Sequence, residues 1–103
     1  MSRLYNMSLE VTGFKMPNAK KIMAAAKKEW PFDDFMFNED TGRITGSGDA
    51  NLCGGESEDE FANRLTRAIF KANGSPCKVV INATYLEDLP FETFEFDEKH
   101  LPK

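Results

Sequence analysis

Residues 57–85 read SEDEFANRLTRAIFKANGSPCKVVINATY and set a helix directly before a strand. Ser57 with Glu60 three residues on is a capping box, in which each side chain satisfies a backbone N–H left unpaired at a helix start. Phe61, Leu65, Ala68, Ile69 and Ala72 then recur at the spacing of one helix face. Gly74 supplies the left-handed residue that ends such a helix. After Pro76 the period drops to two. Cys77, Val79, Ile81, Ala83 and Tyr85 alternate with Lys78, Val80, Asn82 and Thr84, the pattern of a strand with one buried face.

Upstream of this unit, Phe35-Met36-Phe37 and Arg43-Ile44-Thr45 flank the polar stretch Asn38-Glu39-Asp40-Thr41-Gly42. Glycine stands where a hairpin loop requires a positive φ, so two further strands are expected. On the second of them Ile44, Gly46, Gly48 and Ala50 share one face. Side chains so small predict either a helix lying close to the sheet or a bulge. Earlier still, Tyr5, Met7, Leu9 and Val11 alternate with polar residues up to Gly13. Pro17 suits a first helical turn, and Ala19, Ile22, Met23, Ala26 and Trp30 give a helix over 17–29, stopped by Pro31.

The order strand, helix, strand, strand, helix, strand resembles the split βαβ pattern of the ferredoxin-like fold. The expected class is therefore α+β: a βαββαβ sandwich whose four-stranded antiparallel sheet carries two helices on one face. Residues 1–86 form this domain, and 87–103 are a C-terminal tail or an extra edge strand. In that region Phe91, Phe94 and Phe96 alternate among Glu92, Glu95, Asp97 and Glu98. Two readings compete: phenylalanines that cover their own domain, or an acidic and aromatic segment offered to a partner.

A chain of 103 residues with 41% hydrophobic content has the substance for one core and little room for a second. No apolar run reaches the roughly 18 residues of a membrane span, and the first residues lack the apolar stretch of a signal peptide. No membrane association and a cytoplasmic location are the expectations. The net charge of -4 conceals a division: residues 1–30 carry +4, residues 31–60 carry -8 and residues 61–103 are balanced. Charge-dependent function is to be sought in opposed surfaces, and nucleic-acid binding through charge spread over the whole molecule is disfavoured.

Residues able to carry chemistry are few. The one histidine, His100, stands three residues from the end of the sequence and cannot by itself build a triad or a metal cage. Cys53 and Cys77 bracket the second helix, about 25 Å apart at 1.5 Å per residue, so no disulfide joins them and both stay reduced. The segment Cys53-Gly54-Gly55 leads into a helix start as phosphate loops do, yet it lacks their lysine and is followed by Glu56, Glu58, Asp59 and Glu60. No cofactor, metal or catalytic residue is expected. Two other ferredoxin-like families give little. The outer sheet face lacks the aromatics on which RNA-recognition motifs stack bases, and Lys15 with Asn82 only faintly resembles the anion cradle of acylphosphatases.

What remains is recognition. The acidic candidates for partner binding are Glu39, Asp40, Glu56, Glu58, Asp59 and Glu60, the aromatic ones Phe91, Phe94 and Phe96. The hairpin tip and the start of the second helix should lie at opposite ends of the third strand. Lys20, Lys21, Lys27 and Lys28 form a basic stripe on the first helix. The leading expectation is a small non-enzymatic interaction or inhibitor module that binds a basic, nucleic-acid-handling protein. In style it resembles compact acidic phage and mobile-element products such as anti-CRISPR proteins. The alternatives are an acylphosphatase-like hydrolase using Lys15 and Asn82, or weak nucleic-acid binding through the helix-one lysines. Homodimerisation through the sheet face, an edge strand or a swapped tail is a further expectation.

Overall fold

The computed structural model describes residues 3–52, 56–85 and 91–102. Its elements in chain order are β1 (Arg3–Thr12), α1 (Ala19–Glu29), β2 (Met36–Asn38), β3 (Arg43–Leu52), α2 (Glu58–Asn73), β4 (Lys78–Tyr85) and β5 (Phe91–Phe96). The class is α+β. Five strands form one antiparallel sheet in the order β2-β3-β1-β4-β5. The sheet thus has one strand more than the four-stranded core read from the sequence, because residues 91–96 pair along β4, with Phe94 opposite Ile81 and Phe96 opposite Val79.

Both helices lie on the sheet face that carries the buried alternation. Met7, Leu9 and Val11 from β1, Ile44 from β3 and Val79 and Ile81 from β4 pack with Ile22 and Ala26 of α1 and with Phe61, Leu65 and Ile69 of α2. Among the described residues Phe32 and Phe61 are the largest side chains buried completely, each worth about 1.5–3 kcal/mol of apolar transfer free energy. Phe94 and Phe96 of β5 are half-buried against the same core.

Helix boundaries follow their local chemistry. Pro17 lies in a 3-10 turn (Met16–Asn18) that feeds α1, and Trp30 closes the helix in an extended conformation, as a residue before proline must. The capping box of Ser57 and Glu60 opens α2, and Gly74 at φ 82° closes it. One clip was not legible in the sequence. Buried Asn73 accepts from the Lys15 backbone N–H at 2.9 Å, while the Asn18 amide donates to the Asn73 carbonyl at 2.8 Å. The entry to α1 and the exit of α2 are thereby fastened to each other.

The glycine face of β3 departs from both expectations. The β1–β3 register runs unbroken from Arg3↔Leu52 to Thr12↔Arg43, so there is no bulge. Nor does a helix occupy the small residues. The chain leaving α1 does: a Cβ on Gly48 would stand 2.2 Å from the Pro31 carbonyl oxygen, and one on Gly46 would meet the Phe35 ring at 2.8 Å. Trp30 locks the crossing by donating its Nε1–H to the Gly48 carbonyl at 2.9 Å.

Candidate functional site

That crossing places the first acidic pair. Beyond Pro31, Phe32 drops into the core, and the backbone N–H groups of Asp33 and Asp34 donate to the Ser47 carbonyl at 2.9 and 3.3 Å. The chain runs beside β3 as an extension of its edge, with both carboxylates exposed. β2 follows, and at its far end the Asn38 side-chain oxygen accepts from the N–H groups of Asp40 and Thr41 at 3.0 and 3.3 Å. This Asx turn, closed by Gly42 at φ 64°, holds Glu39 and Asp40 exposed at the hairpin tip.

Between the two acidic pairs lies apolar surface. Met36 is 65% exposed and Met16, across from Gly42, is 45% exposed. A depression of about 340 Å³ opens on the outer sheet face among Glu10, Asp34, Met36, Thr45, Ser8 and Asn82. On the other side of β2, Met16, Pro17, Phe37 and Glu39 enclose a second, of about 460 Å³. Of the nearby carboxylates, Glu10 stands 3.7 Å from Arg43. Among the described residues, Asp33, Asp34, Glu39 and Asp40 have no cationic partner.

The other acidic candidates are engaged by the fold. Glu56 pairs with Arg64 at 2.9 Å, and the same guanidinium reaches Glu29 of α1 at 3.2 Å while lying 5.2 Å from the Phe61 ring centre. Glu58 accepts a hydrogen bond from the Tyr5 hydroxyl. Asp59 and Glu60 stand 2.5 and 2.9 Å from the Ser57 hydroxyl. Glu39 and Asp40 lie beyond the Arg43 end of β3 and Glu56 to Glu60 beyond its Leu52 end, about 30 Å apart along ten residues of strand. The two sets form separate surfaces.

The remaining candidates disperse. Lys20, Lys21, Lys27 and Lys28 are all exposed on α1. Phe94 and Phe96 face the core, and the Phe91 side chain lies outside the described residues. Asn82 sits in mid-strand opposite Ser8, where its side-chain oxygen accepts from Thr93 at 2.7 Å. Lys15 follows the end of β1, several residues of strand away. Burial pushes the Cys77 thiol up to about 11, which keeps it protonated and inert at neutral pH. Cys53, Gly54 and Gly55 lie outside the described residues. His100 is exposed and stands 3.1 Å from Asp97, whose carboxyl is held below its usual range chiefly by the backbone N–H groups of Lys99 and His100. Among the described residues no group of three or more His, Cys, Asp or Glu side chains is placed to hold a metal ion, and no helix is long and apolar enough to cross a membrane.

Sequence reasoning counted Asp33 and Asp34 in the acidic third without singling them out as site residues. Their signal was Pro31: a proline that ends a helix just before two aspartates hands both to an extended, exposed segment. The exposure of Met16 and Met36 had no such signal, since methionine is as common in cores as on binding surfaces. Comparison with protein-family models, with curated proteins and with solved structures returns no match to this chain.

Proposed function

We propose that this chain is a non-enzymatic protein-interaction module that recognises a basic partner through the edge of its sheet around β2. The observation that carries the reading is the company the carboxylates keep. Asp33, Asp34, Glu39 and Asp40 are exposed without a cationic partner among the described residues, and they frame the exposed Met36 and Met16. Binding surfaces combine an apolar anchor with a charged rim, the anchor supplying affinity and the rim steering and selecting the partner. Methionines adapt to irregular apolar partners, and a three-residue edge strand leaves backbone groups free to pair.

The helices on one face and the order β2-β3-β1-β4 support the finer reading of a ferredoxin-like core extended by β5. The acidic rim suits a partner whose own surface is built to hold phosphates. A basic, nucleic-acid-handling protein blocked at that surface is the inhibitor reading, in the manner of phage-encoded anti-CRISPR proteins.

The test is affinity capture from the source cells, at low and high salt, with the native chain and with a variant carrying Asp33→Asn, Asp34→Asn, Glu39→Gln and Asp40→Asn. The expected result is a basic protein retained by the native chain at low salt and lost from the variant. Recovery of the same protein by both, or of nothing by either, sinks the reading.

A further inference from the structure

The helix layer carries the opposite chemistry. Where α1 and α2 pack, their outward surfaces leave a groove of about 500 Å³ whose floor is Ala25, Ala68 and Ala72 and whose rim is Lys21, Lys28 and Lys71. Three alanines where longer side chains would fill the space make this a concavity with an apolar base. None of the three lysines has an ion-pair partner among the described residues. The one carboxylate in the groove, that of Glu29, is already turned to Arg64 at 3.2 Å, so the lysines' field faces outward uncompensated from within.

We propose that this groove docks an acidic amphipathic helix of a protein partner, its carboxylates on Lys21, Lys28 and Lys71 and its apolar side chains on the alanine floor. Charge complementarity selects an anionic occupant, and the floor selects among anions. A nucleic-acid backbone brings no apolar group to place on three alanines, and the groove offers neither an arginine fork nor an aromatic platform for bases. A helix does both, since acidic residues seven apart project about 10 Å along its axis, the same rise that separates Lys21 from Lys28 on α1. The basic stripe thereby divides. Lys21 and Lys28 belong to the groove with Lys71 of α2, a residue the helix-one pattern did not include, whereas Lys20 and Lys27 lie outside it.

The probe is a synthetic amphipathic peptide with glutamates seven apart and leucines between them, titrated by fluorescence anisotropy. A polyglutamate peptide of equal length and a short DNA duplex serve as comparators. The designed peptide should bind best, shifting the amide signals of Ala25, Ala68 and Ala72. Combined Lys21→Ala, Lys28→Ala and Lys71→Ala should weaken it about tenfold or more, while Lys20→Ala with Lys27→Ala changes affinity less than about twofold. Ala68→Leu, which fills the floor and keeps every charge, should weaken it as well. Binding equal for polyglutamate, or unaffected by Ala68→Leu, would reduce the groove to diffuse charge and overturn the proposal. Tighter binding of the duplex, or absence of peptide binding, overturns it outright.

Discussion

Two groups of four carboxylates lie within thirty residues of each other, and the molecule treats them differently. Glu56, Glu58, Asp59 and Glu60 are absorbed into the start of α2, by a capping box, a tyrosine hydroxyl and the Arg64 guanidinium. Asp33, Asp34 and Asp40 are fixed through their backbone N–H groups, Glu39 lies within the turn that Asp40 and Thr41 close, and all four leave their side chains to solvent. A carboxylate that the fold engages and one that it only positions leave different surfaces. The same composition builds a helix terminus in one place and an exposed acidic edge in another.

The contrast breaks most severely at Gly48. An added methyl group in Gly48→Ala meets the Pro31 carbonyl, so the segment bearing Asp33 and Asp34 must move. The expected cost is about 3 kcal/mol by chemical denaturation, with the α2 start unaffected. A midpoint within about 0.5 kcal/mol of the native chain would show that the crossing is not held as described. Next comes Ser57→Ala, which removes the cap and should cost about 1 kcal/mol, an effect that high salt leaves largely in place because it is a hydrogen bond. Arg64→Ala follows at about 0.5–1 kcal/mol, diminished by salt, since the guanidinium is partly exposed between Glu29 and Glu56. Smallest is the quadruple neutralisation of Asp33, Asp34, Glu39 and Asp40, with stability within about 0.5 kcal/mol of the native chain in either direction. A larger loss there would erase the distinction, because it would mean that these carboxylates also serve the fold.

Most of the fold was legible because its signals are local. The capping box at Ser57, the left-handed glycines at 42 and 74 and the two-residue period of β1 and β4 each depend on neighbours within a few positions, and all appear where the pattern put them. The fifth strand was visible as alternation in residues 91–96, but whether that alternation paired with β4 or served a partner depended on the exposed edge of a strand elsewhere in the chain. The glycine face of β3 suggests a close-lying helix or a bulge, and it is room for a loop. The spacing reveals that something approaches closely, and only tertiary structure reveals what. The surroundings of β2 were the least legible. Asp34 and Glu39 flank Met36 from the two ends of β2, whereas Arg64 reaches Glu56 across eight residues of sequence.

The crossing at Gly48 also has a consequence for ancestry. Trp30, Pro31 and Phe32 on one strand of the exchange and Gly46, Ser47 and Gly48 on the other fit as key and lock: indole to carbonyl, proline over the bare Cα, two aspartate amides on the Ser47 oxygen. The exposed carboxylates can be exchanged without disturbing this contact, whereas a change in either triplet is felt by the other. A distant relative that keeps this crossing should therefore be found by the pair Trp-Pro-Phe and Gly-Ser-Gly at the same spacing, even where every carboxylate has been replaced.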